Sequence, residues 1–344
     1  MNLTFAIRGQ FPAGDDMQIR LEELFEQARL AQKLGFKTIA KSQHYSSAPF
    51  QEIQQFPFLA RVAAEVPGIH LLTGITLLSL HKPLDMAEQL AALDLISGGR
   101  LIFGSGLGYR EVEFAAFGTT QAERVRRFVE NIEAIKRLWT EETVTMKASH
   151  FELIGASCSL KPLQKPRPPM WIGANADAAI VRTAQIADSW IIPPHNRTDT
   201  IRRQMDVYRR ALDEAGKPFP ASLAIAREMF IAESREEAMR LARPYLEAKY
   251  KAYHDWGQDK AMPAGDNDLG MDFDELVRDR FLFGGAEEVA EQLITFINVT
   301  GATDVFCPIQ WPGMPQNHVL EQMHVLTERV MPLVEQGIKR KPRA

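Results

Sequence analysis

The chain has 344 residues, with 40 basic and 44 acidic side chains and a formal net charge of −4 at pH 7. This balance lacks the clustered positive charge that attracts nucleic acid or an anionic membrane surface, and a chain of this length can bury a large core without disulfides. The two cysteines, Cys158 and Cys307, are too few for a disulfide framework and lack the spacing of a metal site.

Neither the apolar stretches nor the first residues indicate a membrane protein or a secreted one. The longest strongly apolar stretch, residues 69–80, is shorter than the roughly 20 residues that span a bilayer. Residues 1–11 lack the basic start and the cleavage site of a signal peptide. We therefore expect a cytoplasmic protein with no nucleic-acid or membrane partner, and a solvated chain end at the basic run 339–343.

Short apolar runs alternate with amphipathic stretches along the chain, which indicates strands followed by helices. Helix boundaries are marked by proline at the start, as at Pro83, and by glycine after the end, as at Gly98 and Gly99. The predicted strands are residues 3–8, 36–41, 70–76, 101–104, 170–173, 189–192, 222–232 and 304–309. The predicted helices include residues 17–34, 52–66, 120–139, 177–187, 199–215, 286–299 and 316–336.

Eight strand–helix units favour an α/β fold of the closed (β/α)8 TIM-barrel type. The alternative is an open doubly wound sheet, which predicts a G-x-G-x-x-G fingerprint after the first strand. Residues 8–14 read RGQFPAG and lack it. We expect one barrel domain over residues 1–344 with two insertions: a β-hairpin and a proline-rich connector near 143–169, and a polar, mobile loop near 250–272.

In such a barrel the active site lies at the C-terminal ends of the strands. The residues there are mostly small, polar or aromatic, so we expect few ionised groups and a flat, uncharged ring as the ligand. A further group is expected on the outer part of the mouth: Arg8, Gln10, Arg227, Glu228 and Gln310.

Several catalytic motifs are missing from the sequence. There is no H-E-x-x-H and no H-x-H after the first strand, which argues against a metallohydrolase and predicts no metal site. There is also no G-x-S-x-G and no acidic pair at the strand ends, which argues against a serine hydrolase and a glycosidase.

The run GSGLG at residues 104–108 has two interpretations. Glycine at every second position removes side chains from one face, which lets a planar ring or a phosphate approach the backbone. Alternatively, the small residues let a neighbouring segment of the barrel pack against this strand.

The run GANAD at residues 173–177 links the fifth strand to a helix and also has two interpretations. The first N–H groups of that helix can bind an anion. Alternatively, Asn175 is simply the helix N-cap.

Among the remaining candidates, His44 follows the second strand and is either a structural residue or an acid–base group. Glu111 and Glu113 are expected to be solvated or to cap a helix. Core positions are expected for Phe103, Met170, Trp171 and Trp190.

Five blocks of sequence together resemble the bacterial-luciferase-like flavin-dependent monooxygenase family. The most specific block runs from LDLISGGR (93–100) through GSGLGY (104–109) to FG (117–118). The others are residues 35–45 (GFKTIAKSQHY), 127–153, 165–191 and 284–305, so the resemblance covers most of the chain.

The resemblance implies an enzyme that uses reduced FMN and O2 through a flavin 4a-hydroperoxide to oxidise a small organic substrate. It also implies a separate flavin reductase as partner and a homodimer. In the matching positions, His44 is the catalytic histidine beside the flavin, and Thr73 and Gly74 belong to a third-strand stretch that often contains a cis peptide. The other implied cofactor-binding residues are Gly106, Gly108, Tyr109, Gly173, Ala174, Asn175 and Asp177.

The sequence departs from the family pattern at three positions. Gln43 and Tyr45 flank His44 where family members commonly have an acidic residue and a histidine, and Leu107 stands where luciferases carry arginine. These departures argue against aldehyde oxidation with light emission. Two alternatives remain: a hydride-transferring oxidoreductase with a deazaflavin coenzyme, which would favour several basic residues at the rim, and a non-catalytic flavin-binding protein, which would lack a lid.

Overall fold

A computed structural model describes residues 1–339, so most of the basic run 339–343 lies outside the described residues. The strands are β1 (Asn2–Ile7), β2 (Gln10–Pro12), β3 (Thr38–Lys41), β4 (Phe50–Glu52), β5 (His70–Thr73), β6 (Thr76–Leu77), β7 (Leu101–Gly106), β8 (Val144–Lys147), β9 (Glu152–Ala156), β10 (Met170–Gly173), β11 (Ser189–Ile192), β12 (Ala224–Ala226), β13 (Met229–Ile231), β14 (Leu282–Gly284) and β15 (Asp304–Cys307).

The α-helices alternate with these strands. They are α1 (Met17–Lys33), α2 (Gln55–Glu65), α3 (Pro83–Ile96), α4 (Glu111–Ala116), α5 (Arg124–Thr140), α6 (Asp177–Ile186), α7 (Thr198–Glu214), α8 (Arg235–Asp255), α9 (Phe273–Val277), α10 (Ala286–Thr300), α11 (Gln316–Val325) and α12 (Met331–Lys339).

Eight parallel strands close into a barrel, which confirms the predicted fold. Around the barrel the order is β1, β3, β5, β7, β10, β11, β12 and β15, and β15 pairs with β1 to close the ring. The strands are short apolar runs because each is covered on both faces. Each of the eight predicted strands therefore overlaps one strand of the barrel.

The core has two layers because successive side chains of a strand point to opposite faces. On β10, Trp171 contributes to a cluster with Ala6, Ala40 and Phe306 that fills the barrel interior. Its neighbour Met170 belongs to the larger cluster between the barrel and the helices, together with Phe103 and Trp190. The core positions expected for these aromatic residues and for Met170 are thus confirmed.

The predicted third and seventh strands are wrong in their extent. The third strand ends at Thr73, where the following Gly74–Ile75 peptide is cis, and β6 resumes at Thr76. The run 222–232 is not one strand, because Arg227 and Glu228 separate β12 of the barrel from β13, which pairs with β14 outside it.

The hairpin near residue 143 is confirmed, since β8 and β9 pair in antiparallel fashion. The predicted loop over 250–272 is wrong at its start. Helix α8 continues to Asp255, and Tyr250 and Tyr253 are buried on it. Leu246, Tyr250 and Tyr253 recur at the spacing of one buried helix face, although the segment is polar in composition.

None of the helices described within residues 1–339 combines the length and the apolar character that crossing a membrane requires.

Candidate active site

A cavity of about 270 Å³ opens at the C-terminal ends of the barrel strands. Segments that follow β1, β3, β5, β7, β10 and β11 form its walls, and Tyr253, Gln258 and Ala261 from the second insertion cover it. This is the end of the barrel at which the sequence analysis places the active site.

Most of the predicted site residues line this cavity. They are His44, Gly74, Gly108, Tyr109, Gly173, Ala174 and Asn175. Three predicted cofactor-binding residues do not line it, namely Thr73, Gly106 and Asp177.

Thr73 and the glycines of β7 pack the third strand against the fourth. The Thr73 hydroxyl donates to the carbonyl of Gly104 and accepts from its N–H, both at 2.8 Å. A Cβ at Gly104 would lie 2.0 Å from the Thr73 carbonyl oxygen, and a Cβ at Gly106 would lie 2.1 Å from Cδ1 of Ile75. The packing interpretation of GSGLG is therefore the correct one for Gly104 and Gly106.

Those contacts still shape the cavity, because they determine where the segment after β5 lies. Gly74 and Ile75 line the cavity wall, and Gly173 lies beside Ile75, with Ile75 carbons 3.5 Å from the position of a Cβ at Gly173. Gly108 has a φ of +79°, a conformation that glycine adopts without strain, and it turns the chain from β7 toward α4.

His44 is held by a buried carboxylate. Its Nδ1 lies 3.0 Å from Oε1 of Glu113, which also accepts from the N–H of Tyr45 at 2.9 Å. Arg110 lies 3.4 Å from the same oxygen and donates to the Tyr45 carbonyl at 2.7 Å. The prediction that Glu113 is solvated or caps a helix is therefore wrong, since Glu113 is fully buried.

Gln43 and Tyr45, the two departures beside His44, have defined partners. Gln43 accepts from the N–H of Leu77 at 2.9 Å and donates to the Tyr45 hydroxyl at 3.1 Å. These contacts connect the segment after β3 to β6. Gln43 and Tyr45 therefore help to hold the segment that carries His44 in place.

Helix α6 begins at the cavity without a side-chain cap. Its N-cap is Ala176, so Asn175 is not the N-cap, and Asn175 Oδ1 is buried with no partner among the described residues. Asp177 bonds instead to Arg203, with Nη2 to Oδ1 at 2.9 Å, and this hydrogen bond lowers the pKa of Asp177. The Asp177 carboxylate is thus held toward α7, and the first N–H groups of α6 remain available for an anion.

The first residue of α5 adds a cation to the cavity. Arg124 lines it and donates to Gln121 Oε1 at 2.8 Å. Leu107, which replaces the arginine of luciferases, also lines the cavity. Arg124 therefore brings a positive charge to the cavity, whereas Leu107 brings none.

The other side of the cavity is strongly charged, so the expectation of few ionised groups is wrong. Arg8 lines the cavity and lies 3.4 Å from Oε1 of Glu228, which also accepts from Lys249. Burial and the nearby Arg8 lower the pKa of Lys249 to about 7, against the opposing effect of Glu228.

Four of the residues expected on the outer mouth are in fact buried inside the molecule. The barrel end is covered by α8 and by the segment after β15, which the sequence pattern did not place there. These residues are Gln10, Arg227, Glu228 and Gln310.

An aromatic wall covers the cavity beside His44. Tyr253 and Trp256 stack with ring centroids 5.3 Å apart, and Trp256 lies 5.3 Å from the His44 ring. The Trp256 indole donates to the Ala48 carbonyl at 3.0 Å, and Arg110 lies 3.9 Å above its ring. These contacts join the second insertion to the segment that carries His44.

Comparison with known proteins identifies the family. A family model described as luciferase-like monooxygenase matches residues 1–304. The chain belongs to the luciferase-like monooxygenase family. Its resemblance to that family in sequence is confirmed, and the protein is an oxidoreductase of a flavin-monooxygenase family.

Curated relatives of this luciferase-like protein include characterised oxygenases. It is 23% identical, over 79% of both chains, to the oxygenase component of the flavin-dependent trigonelline monooxygenase of Acinetobacter baylyi. It is 25% identical to the FMNH2-dependent dimethylsulfone monooxygenase of Pseudomonas putida, over 74% of this chain and 71% of the relative.

Solved structures share the barrel. The monooxygenase RslO1 of Streptomyces bottropensis matches with a TM-score of 0.84 and 24% identity, covering 96% of this chain and 99% of that one. An F420-dependent secondary alcohol dehydrogenase matches with a TM-score of 0.77 and 16% identity, covering 97% and 98%. These likenesses show the fold of the luciferase-like protein and leave the cofactor open.

Three residues of the site, Glu113, Arg124 and Tyr253, were not predicted from the sequence. A signal existed for Glu113, because Arg110 precedes it by three residues and the apolar Phe114 follows it. A signal also existed for Tyr253 in the spacing of its helix face. No local signal marks Arg124, whose place depends on how α5 packs against the barrel.

Proposed function

We propose that this protein is an FMN-dependent monooxygenase that uses reduced FMN and O2 to oxidise a small organic substrate. The observation that carries the proposal is the placement of a buried His44–Glu113 pair in the same cavity as the uncapped start of α6. The His44–Glu113 pair supplies an acid–base group, and the start of α6 supplies a site for the phosphate of a flavin.

The residues present fit FMN. Gly74 and Gly173 carry no side chain, and together with Ile75 they form a wall against which the flavin ring would lie. Asn175 and Ala176, the first N–H groups of α6 and Arg124 would hold the phosphate. The buried Asn175 Oδ1 and the Tyr109 hydroxyl have no partner within residues 1–339, and a polar ligand would supply one.

Reduced FMN, when bound, supplies the reaction with O2 and the transfer of oxygen to the substrate. The protein supplies a proton path, since Glu113 accepts the Nδ1 proton of His44 and leaves Nε2 to exchange a proton in the cavity. Tyr253 and Trp256 restrict the entry of water, which competes with substrate oxidation.

Reoxidation of reduced FMN tests the proposal. Protein and reduced FMN are mixed under argon and then exposed to air. We expect a transient near-ultraviolet species before the spectrum of oxidised flavin, and a slower return of that spectrum than in protein-free FMN. The proposal fails if flavin reoxidises at the same rate with and without protein.

The deazaflavin alternative predicts the opposite preference for cofactor. Of the residues that line the cavity within residues 1–339, Arg8 and Arg124 are the lysine or arginine side chains, fewer than the several basic residues that a deazaflavin tail would favour. We therefore expect FMN to bind more tightly than F420 in parallel fluorescence titrations. Tighter binding of F420, with hydride transfer to a substrate, would replace the present proposal.

The partners follow from the same proposal. Reduced flavin comes from a separate reductase, as expected of an oxygenase component, and the protein acts as a homodimer. Activity reconstituted with an NADH:FMN reductase tests the first point. Light scattering on the purified protein tests the second, and a monomer mass would reject the dimer.

A further inference from the structure

The cavity wall made by Arg8, residues 193–195, Ala226 and Tyr253, which we call the inner wall, is backed by the buried ionisable groups Glu228 and Lys249. Glu228 is the acceptor for both Arg8 and Lys249. It also accepts from the indole N–H of Trp311 at 2.7 Å. One carboxylate therefore serves two cations next to the cavity.

Arg227 adds a third buried cation behind this wall. It donates to the carbonyls of Pro193 at 2.7 Å and Ala226 at 2.9 Å. Its Nε and Nη2 have no hydrogen-bond partner in the part of the chain that the structure describes, and no carboxylate there forms an ion pair with it. Its guanidinium lies 4.2 Å from the centre of the Phe296 ring. The positive potential of the wall is thus incompletely balanced, which favours a negative charge in the cavity.

The segment that carries His195 is held rigidly from behind. Arg227 bonds to Pro193, and Arg280, which is also fully buried, donates through Nε to the His195 carbonyl at 2.8 Å. Arg280 lies 3.8 Å from Asp266, which Arg197 also approaches at 3.7 Å. A backbone fixed by two buried guanidinium groups positions the His195 ring precisely enough for ligand recognition.

The hydrogen bonds of His195 indicate which ring nitrogen carries the proton. Its Nδ1 lies 3.1 Å from the Tyr250 hydroxyl, whereas that hydroxyl lies 3.4 Å from Glu228. The hydroxyl carries one proton, and Nδ1 of His195 is the nearer of its two possible acceptors, so we assign the Tyr250 hydroxyl as the donor to Nδ1. The proton of the neutral imidazole is then on Nε2, which makes Nε2 a donor.

We propose that the inner wall is a subsite for an anionic oxygen of the substrate, a carboxylate or an ionised hydroxyl, bound by Arg8 and His195. The inference rests on the proposed function and deepens it by naming a substrate class. Arg8 Nε is buried and has no partner within residues 1–339, so a ligand oxygen would satisfy a donor that is otherwise unpaired.

The charges around His195 favour an anion rather than a cation beside its ring. Burial, followed by the charges of Lys249, Arg8, Arg227 and Arg280, holds the pKa of His195 well below its ordinary value. Tyr250 and Tyr253 are the other titratable groups that face the ring. His195 therefore stays neutral, and the same cations that exclude its proton attract an anionic oxygen.

The test measures the binding and the ionisation of 4-nitrophenol on the purified protein, with and without FMN. The colour of this dye reports whether it is ionised. On the protein we expect its apparent pKa to fall by about one unit or more. We expect 4-nitrobenzoate to compete with it, and the neutral 4-nitroanisole to bind about tenfold more weakly. Protonated bound dye, no binding, or equal binding of the neutral analogue would overturn the proposal.

Substitutions locate the anion within the cavity. Arg8→Gln and His195→Gln should each weaken dye binding about tenfold. The charge-matched control is Arg124→Gln, which changes a cavity-lining arginine outside the inner wall and should leave dye binding unchanged while weakening FMN binding. An equal effect of Arg124→Gln on the dye would show general attraction to positive charge and overturn the subsite. If Arg8→Gln does not fold, His195→Gln decides, because it leaves the ion pairs of Glu228 intact.

Fluorescence titration of FMN in the same samples separates the two proposals. If FMN binds normally but the protein does not bind 4-nitrophenol in its ionised form, the anion subsite is rejected and the proposed function stands. Failure to bind FMN rejects the proposed function, whatever the dye does.

Discussion

At the scale of single residues, chemistry in this barrel depends on pairs rather than on isolated groups. His44 is an ordinary residue type at a strand end, and its burial against Glu113, with Arg110 and the Tyr45 N–H on the same oxygen, fixes its ring and its proton. Such an orienting carboxylate is a feature of histidines that act as acid–base groups.

Removal of His44 should affect turnover more than cofactor binding. His44→Ala should lower turnover by about 10²–10⁴-fold, because the proton exchange at Nε2 is lost. The affinity for FMN, measured by fluorescence, should not change. Unchanged turnover would make His44 a structural residue.

Glu113→Gln should lower turnover less than His44→Ala does. It should also shift the pH profile of turnover, because the glutamine amide puts no negative charge beside Nδ1 of His44. Glu111→Gln is the matched control, since Glu111 lies on the same short helix and is exposed. If both variants have the activity and pH profile of the wild type, the carboxylate does not position His44.

His81 gives the fold a defined acid sensitivity. Burial, opposed by Asp85 and aided by Arg127, lowers its pKa to about 4 from an unfolded value of 6.5. The unfolded chain therefore binds the proton first, and stability falls as pH drops from 6.5 toward 4.

When the pH falls from 7 to 5, we expect the titration of His81 to lower the free energy of unfolding by on the order of 2 kcal/mol. Urea titrations of wild type and His81→Phe measure it, and the variant should lose correspondingly less stability. His70→Gln, at an exposed histidine, is the control. Equal pH dependence in wild type and His81→Phe would contradict the assignment.

At the scale of elements, the contact between the third and fourth barrel strands shapes the cavity. Gly104 faces a backbone carbonyl of Thr73, whereas Gly106 faces the tip of the Ile75 side chain. The two glycines thus have different tolerance for a methyl group, although the sequence presents them alike.

Gly104→Ala should severely destabilise the protein or prevent folding, because the carbonyl cannot move without breaking the pairing of the strands. Gly106→Ala should also destabilise it, and Ile75→Val should rescue that variant by removing the clashing Cδ1. Thermal unfolding of the single and double variants measures both effects. Rescue of Gly104→Ala by Ile75→Val would contradict the contacts described.

At the scale of the whole molecule, two distant parts of the chain meet at the barrel mouth. The Trp256 indole of the second insertion donates to the Ala48 carbonyl, and its ring lies 5.3 Å from the His44 ring, which joins the insertion to the segment that carries His44. A closed mouth favours transfer of oxygen to substrate over loss of peroxide.

Trp256→Ala should therefore uncouple the reaction. We expect a several-fold increase in hydrogen peroxide formed per reduced FMN consumed, because water reaches the cavity more easily. Trp256→Phe keeps an aromatic ring and should show a smaller increase. Peroxide yields that match the wild type in both variants would reject a role of this wall in coupling.

The barrel was predictable from sequence because each strand is a local apolar run and each helix has its own periodicity. Much of the site was not. The burial of Glu113 and Glu228 depends on contacts with segments far away in the chain, and the packing role of Gly104 and Gly106 depends on the adjacent strand. The polar composition of residues 250–272 concealed a helix face because Tyr250 and Tyr253 are spaced by three residues among charged ones.

A crystal structure of the protein with FMN measures the position of the cofactor directly. We predict the ring against Gly74 and Ile75, and the phosphate at the first N–H groups of α6 with Arg124 beside it. FMN bound elsewhere, or a cavity that stays empty at saturating FMN, would contradict the proposed site.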